Sequence, residues 1–232
     1  KLYQLLSAID ECIIATKTTK YIEFVMYSTN LVFDQSLTVI ALNSKVIFSV
    51  LNSIIHKTWS EYYGSTLETR FRYSPSDCYE TYPFPRHPTK ELEQLFEESA
   101  EEYIEFRNDL MLNLQLGLTK TFNLFHTKDL TIDNPQLRKA NLQIPIEDAL
   151  SDVYKLRRLN KQMDEAVLKA YGWTDIELKH DFYEVDYLPE NDRMRYTIHP
   201  DARKEILKRL LELNHKIHDE EVRAGLWDKK GK

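Results

Sequence analysis

The spacing of apolar residues changes character several times along this chain, and each change predicts an element. Residues 1–44 read as mostly strand. Tyr21–Ser28 and Ser36–Leu42 are short runs rich in Val, Ile, Tyr, Phe and Thr, divided by the polar breaks Thr29-Asn30 and Asp34-Gln35. From Ser44 to Tyr63 the period becomes helical. Val46, Ile47, Val50, Leu51, Ile54, Ile55, Trp59 and Tyr62 recur at three- and four-residue spacing as one stripe. Ser44 suits the N-cap of this helix and Gly64 its stop. Arg72–Pro85, reading RYSPSDCYETYPFP, is too proline-punctuated for a helix and too aromatic for a solvated loop. It predicts an ordered, extended segment whose rings are clamped against something.

The remainder is helical in pattern. Thr89 caps a helix whose acidic first turn, with Glu91 and Glu93, suits the helix dipole. Leu92, Leu95, Phe96, Ser99, Tyr103, Phe106 and Leu110 give it a buried face, and it runs to about residue 116, where Gly117 interrupts. Residues 126–147, with Pro135 and Pro145, predict a connecting loop. Ser151–Tyr171 predicts an amphipathic helix stopped by Gly172. Residues 181–198 alternate aromatic and polar around LPEND, the pattern of a hairpin. Pro200 opens a last helix, 200–223, ahead of Gly225. The expected fold class is α+β, mainly α. Residues 1–88 hold short strands with a packed helix, and residues 89–232 hold amphipathic helices with an inserted hairpin.

Composition narrows the function classes. Five glycines in 232 residues argue against a glycine-rich phosphate-binding loop. Two cysteines, Cys12 and Cys78, make no disulfide framework, which suits a reduced, cytoplasmic chain. No apolar run approaches the ~18–20 residues that span a bilayer, so no membrane partner is expected. The start at Lys1 and the basic end, Lys229-Lys230-Gly231-Lys232, read as those of a piece of a longer polypeptide. Net charge is −6, unevenly placed: residues 1–90 carry nine Lys and Arg against eight Asp and Glu, and residues 91–232 carry 22 against 29. Phosphate contacts therefore require a local basic surface, and the first ninety residues favour one.

Constellations for catalysis are thin. Methyl transfer to adenine needs a glycine-rich cofactor loop and an Asn/Asp-Pro-Pro-aromatic loop. Asp133-Asn134-Pro135-Gln136 lacks the second proline and the ring, and reads as a turn. Asp164 with Glu177 and Lys179 loosely matches a metal-dependent nuclease triplet, but Asp164 falls on a charged helical face and no proline precedes it. His215 and His218, near Glu220 and Glu221, offer two metal ligands on one face without a third. Cys78 among tyrosines reads as a small buried hydrophobe. No catalytic residue and no metal ligand is assigned.

The segment RYSPSDCYETYPFP resembles one found downstream of the catalytic domain in single-chain restriction-modification methyltransferases, the Type IIG and Type IIL enzymes of the MmeI kind. MDEAVLKAYGW at 163–173 and HDFYEVDYLPENDRMRYTI at 180–198 resemble the region that closes the same polypeptides. The resemblance implies a target-recognition region in 1–88 and a C-terminal helical region in 89–232. It implies double-stranded DNA as partner. It also implies an upstream methyltransferase domain on the same polypeptide, using S-adenosylmethionine on adenine, while this fragment holds no cofactor and makes no bonds itself. Base reading uses Arg, Lys, Asn or Gln on a rigid scaffold, with Ser, Thr and Tyr for phosphates. On that basis Lys17, Lys20, Lys57, Arg70, Arg72, Tyr73 and Ser76 are the candidate DNA-binding residues. The alternative is a helical protein-interaction module. The basic residues Arg203, Lys204, Lys208 and Arg209, early in the last helix, oppose its dipole and call for a phosphate or an acidic neighbour such as the 91–109 helix.

Overall fold

The computed structural model describes residues 2–67, 70–86, 89–186 and 188–227. Residues 1–44 are less strand-rich than their composition predicts. They open with a short helix, α1 (Leu2–Leu6), followed by β1 (Glu11–Thr16), β2 (Thr18–Thr19), β3 (Val25–Ser28) and β4 (Leu37–Ile40). β1 is the central strand of an antiparallel sheet ordered β3-β1-β4, with Ile13 opposite both Met26 and Ile40. Tyr21–Phe24 is apolar enough for strand yet pairs with none. Side chains satisfy its backbone instead: the Phe24 N–H donates to Asn52 Oδ1 at 2.9 Å, and the Phe24 carbonyl accepts from Arg107 at 3.0 Å.

The single helix expected over Ser44–Tyr63 is two, α2 (Lys45–Asn52) and α3 (Ile54–Tyr63). Ser44 caps α2 through the Ile47 N–H, and Gly64 closes α3, as the sequence predicts. The break is at Ser53, which is extended (φ −69°, ψ 154°). Its hydroxyl donates to the Val50 carbonyl at 2.7 Å and accepts from the His56 N–H at 3.4 Å, so one residue terminates α2 and caps α3. The apolar stripe runs across the break, which is why periodicity hides it.

After α3 come β5 (Ser65–Leu67) and β6 (Arg70–Arg72), which join β2 in a second antiparallel sheet ordered β2-β6-β5. The aromatic-proline segment was expected to be extended and is not so throughout. Pro75–Tyr79 closes one wide helical turn, with the Glu80 N–H on the Pro75 carbonyl at 2.9 Å. Pro75 is tolerated because it opens the turn, where no N–H is needed. The rings are clamped as predicted. Tyr73 and Tyr82 are buried, Tyr82 meets Trp59 and Phe84 edge-on, and the Tyr171 hydroxyl donates to the Pro83 carbonyl at 2.9 Å.

The second half holds α4 (Lys90–Leu114), α5 (Leu118–Phe125), α6 (Pro135–Lys139), α7 (Ile146–Ala170), the hairpin β7 (Asp181–Glu184) and β8 (Met194–Thr197), and α8 (Pro200–Arg223). Thr89 caps α4, and Gln115, left-handed at φ 52°, ends it just before the expected stop. The stretch 126–147 is not all loop. Asn134 accepts from the Gln136 and Leu137 N–H groups and starts α6. α7 likewise begins at Ile146, earlier than expected, with Pro145 before it and Glu147 and Asp148 in its first turn. The early basic residues of α8 do meet acids, but not those of α4: Arg203 pairs with Glu61 and Arg209 with Asp175 and Glu205.

Two apolar clusters hold the molecule together, and each draws on both halves of the chain. One joins Ile13, Phe24, Phe48 and Tyr73 to Tyr103, Phe122, Leu156 and Met163. The other joins Val50, Ile55, Trp59 and Tyr82 to Phe96, Val167, Ile198 and Ile206. Charged groups are buried in between. Arg107 is fully buried, and Glu23 takes the Lys57 ammonium at 2.5 Å with Arg107 at 3.8 Å.

Candidate functional site

Strand β6 alternates Arg70, Phe71 and Arg72. A period of two puts both arginines on one face and Phe71 on the other. Phe71 is half-buried against the core and both arginines are exposed. Register places Thr18 and Ser65 on either side of Arg72. Among the described residues neither guanidinium has an ion-pair or hydrogen-bond partner, which leaves ten N–H donors facing outward from a fixed sheet.

The sheet is anchored rather than draped. Gly64 joins α3 to β5 so closely that a Cβ there would overlap the Phe71 ring and stand 2.6 Å from the Ser60 carbonyl oxygen. Behind β6, the Tyr73 hydroxyl and His56 Nε2 lie 3.0 Å apart. Burial pushes the Tyr73 phenol well up, and burial with the adjacent Lys57 brings the His56 pKa down to about 3, so both stay neutral.

Lys17 sits beside Arg72. Its carbonyl accepts the Tyr73 N–H at 2.7 Å, and its ammonium donates to the Gln35 carbonyl at 2.7 Å. A shallow cleft runs past Lys17, Ser65, Arg72, Ser74 and Asp77. Ser76 is exposed next to it, its hydroxyl 2.9 Å from that of Ser74. Lys20 lies past the far end of β2, paired with Asp192 at 3.1 Å and donating to Asn123 Oδ1 at 3.0 Å. The structure thus brings Lys17, Arg70, Arg72 and Ser76 to one surface, with Lys20 at its margin.

Two candidates do not reach that surface. Lys57 is spent on buried Glu23, and Tyr73 is 1% exposed with its hydroxyl turned inward. Both are core residues here, so neither offers its polar group outward. Sequence reasoning passed over Ser65, whose place beside Arg72 depends on strand register and carries no local signal.

The weaker constellations disperse. Asp164 is not on a charged face. It is buried, accepting the Ile54 N–H at 2.7 Å and lying 2.8 Å from His180 Nε2. Glu177 and Lys179 pair with each other on the surface. His218 stacks on Trp227, and Cys12 and Cys78 are both buried. Among the described residues no group of three or more His, Cys, Asp or Glu side chains is placed to hold a metal ion. No described helix is long and apolar enough to cross a membrane.

Residues 9–86, which contain this sheet and its anchors, match the family described as MmeI, target recognition domain. This segment is similar to the MmeI target recognition domain. The fold of the chain is similar to that of a solved structure of the Type IIL restriction-modification enzyme MmeI in complex with DNA. The TM-score is 0.59 at 19% sequence identity, over 90% of this chain and 21% of that one. The chain therefore spans about a fifth of that enzyme's length. No curated protein matches it in sequence. Within the matched segment, β6 and Lys17 supply the outward cations, while α2 and α3 face the helical remainder.

Proposed function

We propose that this chain reads duplex DNA in a sequence-specific way through the outer face of the β2-β6-β5 sheet. The observation that carries the reading is the pair of guanidiniums, Arg70 and Arg72, without a partner among the described residues and held on one strand inside the matched segment. Arginine reads guanine by two parallel hydrogen bonds to O6 and N7, and this requires a donor fork fixed by its scaffold. Lys17 and Ser76 contact flanking phosphates, which orient the duplex without reading it. Lys20 serves the same purpose at the margin.

The chain makes and breaks no bonds in this reading. It presents a target adenine to a methyltransferase domain on the same polypeptide, upstream of it, with S-adenosylmethionine as donor in a cytoplasmic enzyme. The likeness to a Type IIL enzyme over one fifth of that enzyme's length supports this placement.

Selection from a randomised duplex library, followed by a salt titration of the winning sequence, tests the proposal. The expected result is an enriched motif whose binding constant falls steeply with salt, with a slope of about −0.9 per phosphate neutralised. No enrichment, together with salt-insensitive binding to a protein partner, would instead establish the interaction-module reading.

A further inference from the structure

Six large apolar side chains stand exposed near the start of the chain: Leu2, Tyr3 and Leu5 on α1, Tyr27 on β3, and Leu31 and Val32 between β3 and β4. Single exposed apolar residues are ordinary, so what matters is that these share a surface. β3 and β4 flank β1 and both run antiparallel to it, so the connection 29–36 has to cross β1 on one face of the sheet. Ile13, Met26 and Ile40 fill the core-facing side. Cys12 and Tyr27, paired across β1 and β3, therefore point to the other side, where the connection passes. α1 lies against that connection, the Tyr3 hydroxyl accepting the Phe33 N–H at 3.1 Å. Thr29 ties the connection to the start of β1. Its hydroxyl donates to the Ile9 carbonyl at 2.6 Å and its N–H to the Asp10 carbonyl at 2.9 Å. α1 and the connection thus form an outer apolar layer pinned by hydrogen bonds.

The chemistry of this layer selects the kind of partner. Leu2–Ile9 and Phe24–Phe33 hold no Asp, Glu, Lys or Arg, although the chain is 29% charged and stretches of that length would carry about five. Duplex DNA is bound through cations, and these stretches have none. Depleted charge with tyrosine and aliphatic side chains marks the centre of a protein–protein contact. Because the layer is already held in place, little ordering is left to be done on docking.

We propose that this outer layer docks the catalytic domain that the functional reading places ahead of this chain on the same polypeptide. The inference rests on that reading. The solved enzyme of similar fold has about four-fifths of its length outside the part that this chain covers, ample for such a domain. A polypeptide arriving from that domain enters at α1, within the layer itself. The tether keeps the two surfaces at high effective concentration, so a modest apolar contact suffices. The contact fixes the distance between the β6 face and the catalytic domain.

Thiol labelling of the intact gene product tests this. Cys12 and Cys78 are buried, so Val32→Cys adds an accessible thiol in the layer, and Glu97→Cys adds one at an exposed position on α4. Val32 is 88% exposed in this chain, so its protection has to come from outside it. Labelling rates are read by peptide mass in the folded polypeptide and in urea. Val32→Cys is expected to react about tenfold or more slower when folded, and Glu97→Cys at a nearly equal rate in both states. Fast labelling of both, in a gene product whose mass includes a preceding domain, overturns this inference and leaves the DNA-reading role untouched. A mass with no such domain overturns it together with the placement of the catalytic domain. Protection of Val32→Cys that disappears on about hundredfold dilution assigns the layer to a second copy of the chain and also overturns it.

Discussion

Asp164, well along α7, accepts the backbone N–H of Ile54 at 2.7 Å and so caps a helix in the other half of the chain. The same carboxylate lies 2.8 Å from His180, and both side chains are almost wholly buried. Removing it leaves a helix N–H and an imidazole without their partner. Asp164→Ala is expected to lower unfolding free energy by about 3–5 kcal/mol in urea titrations. A midpoint unchanged from the parent chain would refute the capping role.

His56 makes stability depend on pH. Its pKa is about 3 in the folded chain against an ordinary 6.5. As pH falls through 6.5 the unfolded chain takes up a proton that the folded chain refuses. The contribution is therefore complete above 6.5 and is lost progressively down to 3, at about 1.4 kcal/mol per pH unit. Between pH 7 and pH 5 the parent chain should lose about 2 kcal/mol more than His56→Gln. Parallel pH profiles for the two would show that His56 does not carry the effect.

Arginine and core residues should separate cleanly in binding assays. Arg70→Ala and Arg72→Ala are expected to cost about 1–3 kcal/mol each in DNA affinity or to relax site choice, with little change in stability. Tyr73→Phe and Lys57→Ala should do the reverse. The first loses about 1 kcal/mol of stability. The second loses about 3 kcal/mol, because Glu23 is left buried without its closest cation. Site choice altered by Tyr73→Phe at unchanged stability would contradict its placement in the core.

Gly64→Ala probes the mounting of the sheet. The new methyl group meets the Ser60 carbonyl at 2.6 Å and the Phe71 ring, so β5 and β6 must shift away from α3. A stability loss of about 1–3 kcal/mol is expected from this overpacking, together with weaker DNA binding. A crystal structure of the variant with Phe71 unmoved would rule the clash out.

The elements governed by local chemistry were legible in the sequence. Ser44, Thr89, Gly64 and Pro200 each stand where a helix begins or ends, because caps and breakers act within a few residues. The strands β5 and β6 were not anticipated, because the alternation Arg70-Phe71-Arg72 is too short to show as a pattern. What escaped depends on distant partners. The break at Ser53 leans on Asp164, and the unpaired run Tyr21–Phe24 depends on Asn52 and Arg107. Lys57 and Asp164 looked solvent-facing by type and are interior because each met an opposite or polar group from elsewhere. Tyr73 looked like a phosphate ligand beside Arg72, and strand alternation turned it inward.

The buried guanidinium of Arg107 bears on any attempt to retarget such a protein by transplanting residues 9–86 alone. Arg107 lies outside that segment, yet it threads to the Phe24 carbonyl and to Glu23 within it. A donor segment lacking an acid at position 23 would strand that cation in a dry interior. Under the proposed DNA-reading role, new specificities are therefore better sought by exchanging single outward side chains on β6 than by swapping the cassette whole.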